Sequence, residues 1–212
     1  MNNRRRFTSL LAVVTTLALN SPLTATSAYA YTDLLHNVGS MVRAAQFHPG
    51  ASQSSQIPPG NEMLEVAFSP DAGAEHLVIK IIDGAQRKLR VAAYSFTSKP
   101  IAQALLRAKK RGVDVQVVVD KSQKGERYTS ATFLANSGIP VYVDSQHAIM
   151  HNKYIIADDT HTELGSFNYT DAAAHKNGEN ALVVWNNASL ASKYEADWQQ
   201  HMRHSSPYTA RY

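Results

Sequence analysis

Apolar residues recur along residues 63–203 with two periods. Between Ala74 and Ala85, Leu77, Val78, Ile81 and Ile82 fall at i, i+1, i+4 and i+5, one face of a helix. The stretch from Pro100 to Arg111 has proline near its start and Gly112 just beyond its end, and predicts a second helix. Further helices are predicted over Arg127–Asn136, stopped by Gly138, and Leu190–Met202. Asp114–Asp120 is a nearly continuous valine run, the pattern of a strand buried on both faces. Shorter β-type runs occupy Glu65–Phe68, Leu89–Phe96, Val141–Asp144, Lys153–Ala157, Glu163–Ser166 and Ala181–Trp185.

Strands alternating with helices predict an α/β fold, a layered α/β/α domain. The last strands follow one another too closely for helical crossovers, so the sheet is expected to be mixed. Neither a glycine-rich dinucleotide loop nor a GxxxxGK[ST] loop occurs, which argues against dehydrogenases and NTPases.

Residues 1–30 carry Arg4, Arg5 and Arg6, an apolar run from Leu10 to Leu19 and the small-residue site Ala28-Tyr29-Ala30. This is a signal-peptide pattern cleaved after Ala30, and it predicts a periplasmic or secreted protein with no stable membrane span. Residues 31–62 are weakly patterned. Val38–Phe47 predicts a short helix, and 51–60 (ASQSSQIPPG) has linker composition. Residues 63–203 form the predicted catalytic domain and 204–212 a tail. The whole chain has 21 basic and 17 acidic residues, net +4. The first thirty hold three arginines and no acid, leaving 18 against 17, so any polyanion-binding field must be local. Cysteine is absent, which excludes disulfides, thiol catalysis and cysteine-based zinc sites.

The densest chemistry lies in His151-Asn152-Lys153, followed by Asp158 and then Gly165-Ser166-Phe167-Asn168. On a strand, positions 151 and 153 share a face while Asn152 and Tyr154 point away. Histidine can attack phosphorus or pass a proton near neutral pH. Lysine and an asparagine amide can hold phosphate oxygens. The pattern HxK(x)4D(x)6GSxN, eighteen positions long, resembles the signature of the phospholipase D superfamily. Residues 66–70, 93–97, 109–115, 136–140 and 177–181 resemble, in order, the small bacterial Nuc-type endonucleases of that superfamily.

The resemblance implies that His151 forms a phosphohistidine intermediate, that Lys153 and Asn168 bind phosphate, and that Asp158 orients the site without transferring protons. It makes Glu179 the carboxylate that sets the tautomer of His151. Ser166 serves either the phosphate or only a turn. The chemistry needs two histidines, and the motif occurs once. A homodimer with the active site on its two-fold is therefore expected. The expected reaction is a metal-independent phosphodiesterase with no cofactor, a nonspecific endonuclease on DNA or RNA, with phospholipid head-group hydrolysis as the alternative. Lys121, Lys124, Arg127, Tyr94 and Phe167 are the candidates for substrate contact, through backbone charge and base stacking. The cations Arg107, Lys109, Lys110 and Arg111 end a helix, where positive charge is favourable in itself. His147 and His151 stand four apart but lead into a strand, so no metal site is expected.

Overall fold

The computed structural model describes residues 61–210. The proposed signal segment, the Val38–Phe47 helix and the linker over 51–60 lie outside them. The elements run β1 (Met63–Ser69), α1 (Ala74–Gly84), β2 (Lys88–Ala93), α2 (Lys99–Lys110), β3 (Asp114–Asp120), a 3-10 turn (Lys121–Lys124), α3 (Ser130–Asn136), β4 (Val141–Asp144), β5 (Lys153–Ala157), β6 (His161–Gly165), α4 (Asp171–His175), β7 (Glu179–Trp185), α5 (Ala188–Arg203) and β8 (Ser205–Pro207). The strands form one sheet in the order β1-β7-β6-β5-β2-β3-β4-β8. Pairs β2–β3 and β3–β4 are parallel, joined by helical crossovers; every other pair is antiparallel. The sheet is mixed, as the short late connections require.

Strand alternation divides the core. Leu89, Val91, Val117, Val119, Ile155 and Ala157 face one side and pack with Leu77, Val78, Ile81 and Ile82 of α1 and Ile101 and Leu105 of α2. Ala92, Val118, Tyr154 and Ile156 face the other side, toward Ala191 and Trp198 of α5. Each fully buried aliphatic side chain contributes about 1.5–3 kcal/mol of transfer free energy. Trp198 fixes α5 in register. Its indole nitrogen donates to the Val91 carbonyl at 3.1 Å, and the Arg90 guanidinium lies 5.3 Å from its ring. The result is an α/β/α sandwich.

Several boundaries differ from expectation for local reasons. The strand predicted over Leu89–Phe96 stops at Ala93; Phe96 bridges instead to Tyr169. The helix predicted from Arg127 begins at Ser130, because the Thr129 hydroxyl accepts from the Ala131 amide as its cap. Residues 204–212 are not simply a tail. Ser205–Pro207 pairs with β4 and closes that edge of the sheet. Asp171–His175 forms the short helix α4, capped by Thr170.

Candidate active site

One end of the sheet collects the motif. The register pairs Ala93 with Lys153, Tyr154 with Leu164, and Gly165 with Ala181. Since β5 runs antiparallel to both β2 and β6, the start of β5, the ends of β2 and β6 and the start of β7 lie together. His151 sits just before β5. The neighbouring Asn152 carbonyl accepts from the Tyr94 amide at 3.0 Å, which continues the β2–β5 ladder past its last pair. Asn152 and Tyr154 face α5, where both reach Asp197. His151 and Lys153 belong to the opposite face, as alternation requires.

Lys153 is buried, with 8% of its surface exposed. Its ammonium donates to the His151 carbonyl at 2.6 Å and lies 5.3 Å from the Tyr94 ring. Among the described residues no carboxylate forms an ion pair with it. Burial pulls its pKa down, and the Glu179 charge opposes that shift. The Tyr94 ring packs against His151 with centroids 4.6 Å apart. Tyr94, expected as a substrate-stacking residue, instead buttresses His151 and Lys153.

The Gly165–Asn168 segment faces this pair. A Cβ on Gly165 would lie 2.3 Å from the Asn180 carbonyl oxygen, so only glycine lets β6 approach β7 here. The Ser166 hydroxyl donates to Glu179 at 2.6 Å and accepts from the Asn180 amide at 3.1 Å. Asn177 supplies a second hydrogen bond to Glu179 at 3.2 Å. Within one chain Glu179 is therefore held by Ser166 and Asn177, not by His151, contrary to the expected tautomer-setting contact. Ser166 here serves that local network. The Asn168 side-chain oxygen is buried without a hydrogen-bond partner. An amide oxygen only accepts, so it is the side-chain nitrogen of Asn168 that has a donor to offer a phosphate oxygen. The segment is anchored by the next residue: Tyr169 is fully buried and donates to Glu163 at 2.7 Å.

Other candidates lie elsewhere. Asp158 is at the far end of β5. Its carboxylate accepts from the backbone amides of Gln86, Arg87 and Lys88 at 2.7–3.0 Å and ties the β5–β6 turn to the start of β2. Its role is architectural and remote from the site. Phe167 is fully buried in the core and cannot stack on a substrate. Lys121 donates to the His147 carbonyl at 2.9 Å. Lys121 and Lys124 are exposed on the 3-10 turn after β3, at the same sheet end as His151. Arg127 lies 5.7 Å from the Tyr128 ring and lines a cleft of about 710 Å³ with Thr97, Lys99 and Gln103; His151 and Lys153 are not in it. Arg107 and Arg111 are used structurally, against Asp83 and the Ile82 and Ala85 carbonyls. His147 does not pair with His151. It joins Asp144, His201 and His204 beside β4, a grouping that spacing along the chain concealed. Asn152, Asn177 and Asn180 also went unassigned in the sequence, though the last two lie in a segment that resembles the family.

The fold recurs in known proteins. The family model described as "Cardiolipin synthase, PLD-like domain" matches residues 78–202. The crystal structure of Nuc, a phospholipase D family member from Salmonella typhimurium, superposes with a TM-score of 0.68 at 43% identity, covering 70% of this chain and 99% of that one. A Rickettsia conorii protein named Phospholipase D is 33% identical over 135 residues, 64% of this chain and 67% of its own. A Xenopus laevis mitochondrial cardiolipin hydrolase is 28% identical over 130 residues, 61% of each chain. With the family model spanning more than half of the chain and the sheet matching Nuc along nearly all of its length, the chain is a phosphodiester hydrolase of the phospholipase D superfamily.

Proposed function

We propose that the protein is a metal-independent endonuclease that cleaves phosphodiesters through a phosphohistidine, and that it works as a homodimer. The observation that carries this reading is Lys153. It is a buried ammonium bonded to a neutral carbonyl, beside an exposed histidine. Such a cation has lost hydration without gaining a counter-charge within ion-pair distance. A phosphate supplies that charge.

A ring nitrogen of His151 attacks phosphorus, the phosphorus–oxygen bond to the leaving strand breaks, and the departing oxygen takes a proton from His151 of the second copy. Water, deprotonated by that second histidine, then attacks the phosphohistidine and releases both the phosphate end and His151. The Lys153 ammonium and the Asn168 side-chain NH2 donate to the non-bridging oxygens, whose charge grows as the bond to the nucleophile forms. One chain supplies one such histidine. The edge strand β1 offers a surface for a second copy. Leu64, Val66 and Phe68 alternate along it, more than half exposed, and Phe68 pairs with Asn180 beside Ser166. A row of apolar side chains leading to the site fits an isologous interface that would bring two sites together.

Nucleic acid is favoured over lipid by the greater similarity to Nuc and by Lys121, Lys124, Arg127 and Tyr128 at this end of the domain. A cation stacked on an exposed tyrosine is a platform for a base and its phosphate. The Rickettsia relatives' name supports phospholipid as the second reading. The signal-like N-terminal sequence supports a periplasmic or secreted location for the reaction. Supercoiled plasmid, single-stranded DNA, RNA and phosphatidylcholine vesicles, offered side by side in excess EDTA, test the proposal. Plasmid nicking is the expected result. Hydrolysis of the vesicles alone overturns the nuclease reading, and dependence on an added divalent ion overturns metal independence.

A further inference from the structure

At the end of β4, away from the phosphate cradle, four ligand-type side chains converge: Asp144, His147, His201 and His204. In the chain they form two pairs, each spaced i, i+3, separated by more than fifty residues. The fold joins them because β8 runs antiparallel to β4, pairing Ser205 with Asp144, and so brings the end of α5 to the end of β4. The Asp144 side chain is fully buried. The Nδ1 atoms of His147, His201 and His204 lie 2.9, 2.7 and 3.2 Å from its carboxylate oxygens. All four candidate ligand atoms fall within 4.8 Å of one another.

We propose that these residues form a structural site for a divalent transition metal, of which zinc is the best fit. Three imidazoles with one carboxylate are a borderline, nitrogen-rich donor set. Zinc prefers such a set, whereas magnesium and calcium demand oxygen. Four protein donors close a tetrahedral shell and leave no position for substrate, the mark of a structural site. At metal–nitrogen distances of about 2.0–2.1 Å, donor atoms in that shell are about 3.3 Å apart. Small rotations of the three rings, whose centroids lie 5.2–6.0 Å apart, would bring the donors to this spacing.

Two features beyond the donors point the same way. The other ring nitrogen of His201 lies 3.3 Å from the Asp197 carboxylate, the outer-shell carboxylate–histidine arrangement that orients metal ligands. Asp144 also accepts from the Gln146 amide at 2.8 Å, so its carboxylate is aimed by backbone as well as by the rings. His147 is 43% exposed at its side chain, which gives an ion a way in. The metal would staple three segments: the loop after β4, the end of α5 and the start of β8.

The test uses untagged protein of the full mature chain, stripped with EDTA and freed of chelator. Zinc chloride is titrated by calorimetry, bound zinc is counted by elemental analysis, and thermal melts are recorded with and without zinc. One zinc per chain is expected, with a Tm rise of about 5–10 °C when zinc exceeds Kd about 100-fold. His147→Gln and His204→Gln should each weaken zinc binding at least about 10-fold and shrink the Tm rise. Both remove side chains that are at least partly exposed, so the stripped variants should melt close to stripped wild type. Stoichiometry well below one, a Tm unmoved by zinc, or full zinc affinity retained in both variants overturns the site. The outcome is separable from the endonuclease reading. His151→Asn should bind zinc normally while losing hydrolysis, and wild type should hydrolyse in EDTA below its melting temperature.

Discussion

Glu163 offers a quantitative test of how the catalytic loop is anchored. It is fully buried between β5 and β7, paired with Ile155 and Val183. One carboxyl oxygen accepts from Tyr169, and the other has no hydrogen-bond partner. Burial pushes its pKa from 4.5 up to about 8, with the Tyr169 bond opposing the shift. The folded state therefore holds a proton that the unfolded state has released. A carboxyl with a raised folded pKa contributes its full stability below pH 4.5, and that contribution falls as pH rises through about 8. The displacement corresponds to on the order of 5 kcal/mol across the whole window, and about 3 kcal/mol by pH 7. Glu163→Gln keeps an acceptor for Tyr169 and cannot ionise. Denaturant unfolding of wild type and variant at pH 5, 6, 7 and 8 gives a difference in which the histidines common to both proteins cancel. That difference should grow with pH in favour of glutamine, reaching a Tm advantage of roughly 6–12 °C at pH 7. A difference independent of pH would show that Glu163 does not change protonation on folding and would refute the reasoning. Because Tyr169 follows Asn168 directly, loosening this anchor at high pH should also lower kcat in wild type and not in Glu163→Gln.

Four further outcomes bear on the site. His151→Asn should lose at least about 1,000-fold in kcat with an unchanged melting temperature, and heterodimers with wild type should turn over poorly rather than at half rate, since the proposed shared site uses both rings; this is read by tandem-affinity purification of mixed dimers followed by single-turnover assay. Lys153→Met should lower kcat about 100- to 1,000-fold and slightly stabilise the fold, because it removes a desolvated charge, as thermal melts and steady-state kinetics would register. Gly165→Ala should destabilise by about 1–3 kcal/mol in denaturant unfolding, since its methyl group meets the Asn180 carbonyl. Asp158→Ala should cost about 1–3 kcal/mol of stability by removing the acceptor of three backbone amides while leaving kcat within about twofold at 25 °C, which kinetics on the folded variant would check.

The layered fold was legible because its signals are local and repeated. The valine run of β3 and the Leu77–Ile82 face of α1 are periodic, and Gly112 and Gly138 stop their helices. Side-chain direction in His151-Asn152-Lys153 followed from alternation alone. What escaped depends on partners distant in sequence. Ser205–Pro207 has no strand pattern of its own and becomes a strand only because β4 presents an edge. Phe167 is an aromatic in a polar-looking motif, and it joins the core that also holds Phe96 and Tyr169. Asp158 carries a family signature whose reason is a set of amides at residues 86–88. The Asp144 cluster was invisible because two short pairs on unrelated elements meet only in three dimensions.

Alternation also explains how two centres can lie at the same sheet end without sharing chemistry. His151 and Lys153 project to the face bearing α1 and α2. Asn152, between them, projects to the α5 face, where its amide nitrogen lies 3.1 Å from Asp197 and 3.3 Å from His201. The backbone at His151 is thus held from behind by the last turns of α5, and these are held in place by Asp144. Changes at the Asp144 cluster reach His151 by two routes, through the Asn152 amide and along the loop after β4, where His147 precedes His151 by four residues. They should therefore alter how firmly the nucleophile is positioned, and hence kcat near the melting temperature, far more than its protonation or its affinity for phosphate. Asn152→Ala isolates one route: it cuts the side-chain link and leaves all four cluster residues, His151 and Lys153 intact. If the Asn152 route carries most of the coupling, zinc should still raise the melting temperature of Asn152→Ala but change its kcat at elevated temperature much less than in wild type. A zinc effect on kcat as large as in wild type would mean that the two centres are coupled by another route.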